Sequence, residues 1–317
     1  MRNGQSVIKE IIDCIPPFDF ALSARILADG DPQIAKYDGN AYRQVVRIGD
    51  RLLLATVTSA GSVDSPQLLA ELTSDGSVTD HDLASALETI GSVFNAHLDI
   101  NPFYEAIRND STMAELSDKL HGLKNPLTPT VFQALFDSIV EQQISLTVAH
   151  VLQRRVIKTF GDALVLDGKT YYAFPTPERL ALASVESLRA CGLSRGKAQY
   201  ITGIAAGIVA HTIDLERLRQ WSDTQAILDS LCSLRGVGLW TAELTAIRAL
   251  NRFDAIPADD LGLRRWIAHY YCSDKVITST QARGIAAHWG KWKGLAGYYL
   301  VVAGILDIQT KAKNTAL

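Results

Sequence analysis

The fold of this chain is decided by the stretch from Ile227 to Leu244, which reads ILDSLCSLRGVGLWTAEL. An apolar helix ends near Leu234, Gly-Val-Gly makes a tight turn, and a second apolar helix begins at once. Glycines let the backbone approach a ligand closely, and the free amides of the second helix lie at the positive end of its dipole. The stretch predicts a helix-hairpin-helix, over about residues 224–251, whose turn suits a phosphate. A plain turn between two helices would produce the same pattern, so the segment alone leaves both interpretations open.

A second informative segment follows about twenty residues later. Asp259 and Asp260 stand just after Pro257, at the entry to a predicted helix, and Arg264 and Arg265 follow one turn later. An isolated carboxylate in such a position usually caps the helix. Two adjacent carboxylates predict a division of roles, in which one caps the helix and the other is free for chemistry.

The chain divides into two predicted units. Residues 1–101 combine β-rich segments at 7–12, 42–48 and 51–57, the last two forming a hairpin, with an amphipathic helix near 83–94. After Asn101-Pro102 the β signals nearly disappear, and helices are predicted at 103–107, 113–120, 131–140, 146–160, 186–191, 197–209, 224–232, 239–251, 261–271, 280–289 and 294–308. The expected fold is α+β: an N-terminal antiparallel β-sheet domain with helices, residues 1–101, followed by an all-α domain, residues 102–317.

The composition is that of an ordinary soluble globular protein, with 317 residues, 47% hydrophobic and 21% charged. The longest uncharged stretch, 198–213, has 16 residues, which is fewer than the roughly 20 apolar residues that a membrane-spanning helix needs. No secretory signal precedes the charged Lys9 and Glu10. We therefore expect a cytoplasmic protein that does not contact the membrane.

Cysteine spacing and charge narrow the chemistry further. The four cysteines are scattered, and the seven histidines form no pair on one helix face, so no metal site is expected from side chains. The net charge is −3, but residues 188–317 carry 16 Lys and Arg against 10 Asp and Glu. This asymmetry favours a C-terminal face that meets phosphates, although uneven surface charge would give the same sum.

Together, the hairpin and Asp260 resemble the helix-hairpin-helix superfamily of base-excision DNA glycosylases, and within it the 3-methyladenine DNA glycosylase II type. Further similar segments are FQAL at 132–135, IVEQQIS at 139–145, FPTPE at 174–178, GLSRGKA at 192–198 and WKGLAGYY at 292–299. The resemblance covers about residues 100–308, and PPFDF at 16–20 extends it weakly into the N-terminal unit. It implies a helix-hairpin-helix glycosylase domain for residues 102–317.

This resemblance implies a catalytic role for Asp260. Cleavage of an N-glycosidic bond builds positive charge on the sugar, which a buried carboxylate stabilises while it orients the attacking water. Other members of the family carry a lysine at the position of Trp240 and use it to form a Schiff base. Because an indole cannot form an imine, the resemblance implies a monofunctional glycosylase that leaves an abasic site. A core tryptophan at a helix start remains the alternative role for Trp240.

Base and DNA contacts follow from the same resemblance. Trp240 would stack on the extruded base, which suits cationic alkylated purines, and Gln143 would fill the gap left in the duplex. Alternatively, the side-chain amides of Gln142 and Gln143 cap a helix or pack within the protein. Arg264 and Arg265 either hold phosphates or brace Asp260. The expected base pocket consists of Trp240, Leu244, Gly262, Val301 and Val302. The expected DNA-binding residues are Gln143, Arg235, Gly236, Val237, Gly238, Arg264 and Arg265.

Some positions leave the function open. Leu244, Val301 and Val302 stand where close relatives place aromatic side chains, so the base preference is not determined. Lys197, Arg195 and Lys293 are further phosphate candidates, but a solvated face explains them equally well.

We expect the protein to act as a monomer on double-stranded DNA that contains a damaged base, and to excise alkylated or deaminated purines. No organic cofactor is expected, whereas the resemblance permits a structural Na+ or K+ at the backbone carbonyls of Leu234 and Val237. One alternative is an 8-oxoguanine-type glycosylase on the same scaffold, and another is a non-catalytic binding module for distorted DNA. A buried Asp260 near anionic DNA counts against the binding module, because the repulsion would serve no purpose there.

Overall fold

A computed structural model describes residues 6–28 and 30–310. Its first part is a five-stranded antiparallel sheet in the order β1-β5-β4-β3-β2. The elements are β1 (Ser6–Asp13), α1 (Phe20–Leu27), β2 (Ala35–Tyr37), β3 (Ala41–Ile48), β4 (Arg51–Ser59), β5 (Gln67–Ser74) and α2 (Asp80–Val93). The predicted strands and helix of this part are confirmed, and the ends of the predicted domains, 1–5 and 311–317, lie outside the described residues.

Helices dominate the rest of the chain. They are α3 (Asn101–Ile107), α4 (Ser111–Lys119), α5 (Val131–Glu141), α6 (Leu146–Phe160), α7 (Pro177–Ala181), α8 (Val185–Ala190), α9 (Arg195–Val209), α10 (Thr224–Cys232), α11 (Leu239–Leu250), α12 (Leu261–Tyr271), α13 (Ser279–Ala286) and α14 (Lys293–Ile305), with 3-10 turns at Glu216–Gln220 and Ala287–Trp292. The α+β fold class is therefore confirmed. No helix within the described ranges is both long and apolar enough to cross a bilayer.

One expectation for this part needs correction, because it is not entirely helical. Strands β6 (Ala163–Leu166) and β7 (Lys169–Tyr172) form a hairpin around Asp167 and Gly168, which both have positive φ. An Asp-Gly pair between alternating apolar residues is a strong hairpin signal, so the sequence carried this information. The hairpin packs on the N-terminal sheet, where Leu164 and Leu166 cover Val45 and Leu54.

The sheet can be covered on both faces because successive side chains of a strand point in opposite directions. Val46 and Leu53, paired across β3 and β4, join the buried cluster that contains α1 and α2. Their neighbours in the same two strands face the β6–β7 hairpin instead. The N-terminal sheet is thus a central layer between its own helices and a hairpin from the second part of the chain.

Two separate apolar clusters stabilise the helical part. One unites α3 and α4 with α12, α13 and α14. The other unites α5, α6, α8 and α9 with α10 and α11. Helix α11 belongs to both, since Ala242, Ala246 and Ala249 pack in the second cluster and Ile247 packs in the first.

Buried polar groups join the sheet to the helices. The fully buried Lys124 donates from Nζ to the carbonyls of Ile15, at 2.7 Å, and Ala96, at 2.8 Å, and lies 5.3 Å from the centre of the Phe18 ring. Burial lowers the pKa of Lys124 to about 8, because the charged form loses its hydration.

Lys124 should make stability depend on pH above neutrality. An exposed lysine has a pKa near 10.4, so between about pH 8 and that value the unfolded chain binds more protons at this site than the folded one. The free energy of unfolding therefore rises with pH in this window. We therefore compare the free energies of unfolding of wild type and Lys124→Met, measured by urea unfolding. From pH 7 to pH 10 the value for wild type should rise by about 2 kcal/mol relative to that of the variant.

The exposed Lys119 supplies the matched control, because its ammonium pairs with Glu115 at the surface. Lys119→Met should leave the difference from wild type flat over the same range. A flat difference for Lys124→Met would show that this lysine is charged equally easily in both states.

Candidate functional site

The hairpin turn between α10 and α11 requires glycine at position 236. Gly236 has φ +89°, and a Cβ there would lie 2.2 Å from the Tyr200 ring. Gly238 follows as the N-cap of α11 without any side-chain cap, so the first amides of this helix remain open. Arg235 extends from the turn, exposed, with its guanidinium 5.9 Å from the centre of the Tyr200 ring. The predicted helix-hairpin-helix is confirmed.

Polar contacts from α5 and α9 hold this turn. Gln142 donates from Nε2 to the Gly236 carbonyl at 2.9 Å and to Thr241 Oγ1 at 3.0 Å. Lys197 donates to the carbonyls of Val140 and Gln142, at 2.8 and 2.6 Å. Gln142 is therefore a packing amide, and the ammonium of Lys197, a phosphate candidate from the sequence, is occupied by the end of α5.

Gln143 differs from its neighbour. It is exposed, lines the mouth of a cleft and has φ +58°, a conformation that non-glycine residues adopt rarely. Such strained positions occur mainly at functional sites, where surrounding contacts enforce them. Here two sets of hydrogen bonds fix the backbone just before Gln143. Gln142 binds the hairpin turn through its side chain, and Lys197 binds the carbonyls of Val140 and Gln142.

The sequence predicted that one acid caps the helix and its neighbour is free for chemistry, but in the structure Asp260 alone caps α12 and also contacts Trp240. Its Oδ1 accepts the Leu263 amide at 2.7 Å and caps α12, while Oδ2 accepts Nε1 of Trp240 at 3.1 Å. A Cβ at Gly262 would lie 3.1 Å from Oδ1, so glycine keeps space beside the carboxylate. The expectation that one acid caps while its neighbour stays free is therefore wrong, because the two oxygens of Asp260 do different work.

The other acid, Asp259, belongs to an ion-pair network behind the site. Arg283 contacts Asp259 at 3.4 Å, binds both oxygens of the buried Glu243 at 2.7 and 3.2 Å, and donates to the Ile256 carbonyl at 3.0 Å. Burial raises the pKa of Glu243, and the adjacent guanidinium opposes that shift. Arg283 thus ties the loop that carries Asp260 to α11.

Trp240 and Asp260 lie in the wall of a cleft of about 1340 Å³. The cleft runs between the N-terminal sheet unit, which contributes Tyr42 and Gln44, and the two helical clusters. All five residues predicted for the base pocket line it, namely Trp240, Leu244, Gly262, Val301 and Val302. Since Trp240 is half-exposed in this wall, the core-tryptophan alternative does not describe its position.

The predicted DNA-binding residues are placed less uniformly. Gln143 and Gly238 line the cleft, and Arg235, Gly236 and Val237 lie in the adjoining turn. Arg265 is exposed over the Trp266 ring, at 5.2 Å. Arg264 points to the Ile277 carbonyl, at 3.4 Å, and the carboxylate of Asp260 is bound by Trp240 and Leu263. The brace between Arg264 and Asp260 is therefore not formed.

Several polar residues of the cleft were missed by the sequence analysis, among them Glu141, Arg248 and Tyr298. Arg248 could have been found, because it follows Trp240 and Leu244 at intervals of four residues on one face of α11. Tyr298 has a buried hydroxyl without a hydrogen-bond partner among the described residues, and burial raises its pKa. Glu141 pairs with Arg248 across α5 and α11, which no local pattern reveals.

The chain is similar in sequence to known proteins. A family described as HhH-GPD superfamily base excision DNA repair protein matches residues 136–291. The DNA-3-methyladenine glycosylase of Bacillus subtilis (strain 168) is 31% identical over 207 residues, which cover 65% of this chain and 68% of that protein.

Two solved structures share the fold over nearly the whole chain. One is the 3-methyladenine DNA-glycosylase of Archaeoglobus fulgidus, with a TM-score of 0.82 at 24% identity, covering 95% of this chain and 100% of that one. The other is the 8-oxoguanine glycosylase/lyase of Clostridium acetobutylicum in complex with DNA, with a TM-score of 0.73 at 16% identity, covering 96% and 99%. The chain belongs to the helix-hairpin-helix superfamily of base-excision DNA repair proteins, in the branch of the DNA-3-methyladenine glycosylases.

Proposed function

We propose that this protein is a monofunctional DNA glycosylase that excises alkylated or deaminated purines from double-stranded DNA and leaves an abasic site. The hydrogen bond from Trp240 to Asp260 carries the proposal, because it places a stacking surface beside a carboxylate in the wall of one cleft. The Bacillus subtilis relative named a DNA-3-methyladenine glycosylase supports an alkylated purine as substrate. We further propose that it acts as a monomer in the cytoplasm.

In this mechanism the carboxylate acts on the sugar. The bond between C1′ and the base nitrogen breaks with both electrons going to the base, which leaves positive charge on the sugar. Oδ1 of Asp260 accepts the Leu263 amide and Oδ2 accepts Nε1 of Trp240, so neutral donors hold the carboxylate while its negative charge stabilises the sugar. Water then adds to C1′ and its proton passes to the carboxylate. Trp240 stacks on the extruded base meanwhile.

We propose the absence of lyase activity because no lysine amine lines the described part of the cleft. A lyase needs a nucleophilic amine that attacks C1′ and forms an imine. Trp240 stands at the start of α11, and no lysine occurs among the described residues that line the cleft. Hydrolysis by water is therefore the reaction that these side chains can support.

DNA would approach through the hairpin. The uncapped amides at the start of α11 suit a phosphate, and the exposed Arg235 adds positive charge beside them. Gln143, projecting at the mouth of the cleft, would occupy the space left by the flipped nucleotide.

A cation at the hairpin is part of the same proposal. The Leu234 carbonyl accepts only the Val237 amide, at 3.1 Å, and the Val237 carbonyl accepts no backbone hydrogen bond among the described residues. These oxygens fit Na+ or K+, which would supply positive charge beside a phosphate. We expect DNA affinity at fixed ionic strength to be at least about threefold lower in tetramethylammonium chloride than in potassium chloride, measured by fluorescence anisotropy. Equal affinities in the two salts would remove the cation from the proposal.

Asp260→Asn tests the enzyme directly. Asparagine can still cap α12 through its single carbonyl oxygen, but its amide nitrogen then faces Nε1 of Trp240 and accepts no hydrogen bond from it, and the side chain lacks the charge that stabilises the sugar. We expect the single-turnover rate of base release from duplex DNA containing a methylated or deaminated purine to fall at least about 100-fold. DNA affinity should stay equal or increase, because one negative charge near the phosphates is removed.

Asp259→Asn is the matched control, since it changes the adjacent acid, which pairs with Arg283, and should keep at least about a third of the rate. The same reactions, scored with and without alkali, test the lyase question: strand scission should need alkali, and borohydride should trap no DNA–protein adduct. If wild type binds DNA but releases no base, the result would favour a non-catalytic binding module for distorted DNA. If it releases only 8-oxoguanine, the result would favour an 8-oxoguanine-type glycosylase.

Trp240 should contribute through both its ring and its N–H group. Trp240→Phe keeps an aromatic wall but removes the hydrogen bond to Asp260, so we expect base release to slow about tenfold. Trp240→Ala also removes the stacking surface and should slow it at least about tenfold more. Equal rates for the two variants would show that the ring does not contact the base.

A further inference from the structure

Arg248 is a charged residue of the cleft that the proposed reaction leaves unused. It lies on the face of α11 that also carries Trp240 and Leu244, at successive intervals of four residues. Among the described residues that line the cleft, it is the only arginine. A guanidinium in a mostly apolar cavity needs a physical reason, since its desolvation is costly unless it is paired.

Only one nitrogen of this guanidinium is occupied. Nη1 lies 2.9 Å from both carboxylate oxygens of Glu141, whose side chain is 7% exposed. Nε and Nη2 have no partner among the described residues, and the Arg248 side chain keeps 29% of its surface exposed. Glu141, which lines the same cleft, therefore holds one nitrogen of Arg248, and two donors of the guanidinium remain for a ligand in the cleft.

The charge on Arg248 is secure. Burial alone would lower its pKa, but the carboxylates of Glu141, Asp137 and Asp260 outweigh that effect and raise it.

Helix geometry places the guanidinium within reach of a base at Trp240. Eight residues of helix separate the two Cα atoms by about 12 Å along the axis. Long side chains on a helix lean toward its N-terminus, so Arg248 leans back toward Leu244 and Trp240. A purine with its sugar at Asp260 and its ring on Trp240 would therefore extend its far edge toward Arg248.

Two parallel N–H donors select an edge with two acceptors. A neutral 6-oxopurine, such as hypoxanthine, offers O6 and N7. A 6-aminopurine such as 3-methyladenine turns a donor toward the guanidinium, and 7-methylguanine has a blocked N7 and a positive charge. We propose, on the basis of the function proposed above, that Arg248 is a specificity-determining residue that recognises the O6 and N7 edge of a neutral 6-oxopurine.

The chemistry of departure strengthens this assignment. When the bond from C1′ to N9 of a neutral 6-oxopurine breaks, both electrons go to the base, which becomes an anion with charge on O6. Arg248 would stabilise that charge in the transition state, more than it stabilises the bound substrate. A cationic alkylated purine leaves as a neutral base, so it gains nothing from the guanidinium.

The test compares lesions within each variant. Single-turnover release of hypoxanthine from a duplex oligonucleotide is measured beside release of 7-methylguanine and 3-methyladenine from dimethyl sulfate-treated DNA. We expect Arg248→Met to slow hypoxanthine release about 10- to 100-fold while the methylated bases change less than about threefold. Arg248→Lys keeps the positive charge but lacks the two parallel N–H donors. It should also slow hypoxanthine release at least about tenfold.

Glu141→Gln is the matched control, because it alters the same pair but keeps the guanidinium, so the ratio between lesions should stay within about threefold of wild type. If Arg248→Met is unstable, Glu141→Gln/Arg248→Met removes both charges and should show the same loss on hypoxanthine. An unchanged ratio in the Arg248 variants, or an equal change in Glu141→Gln, would overturn the proposal while the glycosylase function stands. Release of no base by wild type would defeat the proposed function itself, and this proposal with it.

Discussion

The position of α11 is the constraint on which the whole site depends. Small side chains at Ala242, Ala246 and Ala249 let this helix pack closely in one apolar cluster, and Ile247 anchors it in the other. Its C-terminal cap, Asn251, exchanges hydrogen bonds with Asn95 of the sheet unit, at 2.8 and 3.1 Å. With these sides and its end engaged, α11 presents one remaining face to the cleft, and that face carries the indole, an apolar spacer and the guanidinium.

A second constraint is that several carboxylates lie close together but have different hydrogen-bond partners. Glu243 and Asp259 are both paired with Arg283, and Glu141 is paired with Arg248. The carboxylate of Asp260 has no cationic partner among the described residues and is held by two neutral donors, the Leu263 amide and the Trp240 indole. Neutral donors orient a carboxylate without cancelling its charge, so Asp260 would keep its full electrostatic effect on the sugar in the proposed reaction.

Local patterns predicted what is local, and contacts between distant segments explain the rest. The Gly-Val-Gly turn and a helix-capping acid follow from short motifs, whereas the pocket residues follow from the resemblance to a glycosylase family. The structure brings the pocket residues and Asp260 into one cleft. The packing of β6 and β7 on the sheet, the seat of Lys197 on the end of α5 and the turn of Arg264 toward Ile277 depend on tertiary contacts. Arg248 lies between these cases, because spacing places it on the cleft face but only its pairing with Glu141 leaves two donors free.

Asp260 and Arg248 are oppositely charged side chains that line the same cleft, and this arrangement matches the charge separation of the proposed glycosidic cleavage. In that reaction Asp260 would stand where the sugar becomes positive, and Arg248, eight residues along α11 from Trp240, would lie toward the far edge of the base. Because Glu141 pairs with the guanidinium, Arg248 adds N–H donors without a net positive charge that would oppose the cation developing in the proposed reaction. A pocket walled only by aromatic rings stabilises bases that are already cationic, whereas a guanidinium stabilises bases that become anionic as they leave. The apolar Val301 and Val302, which also line the cleft, and the presence of Arg248 would therefore both favour bases that leave as anions in the proposed reaction.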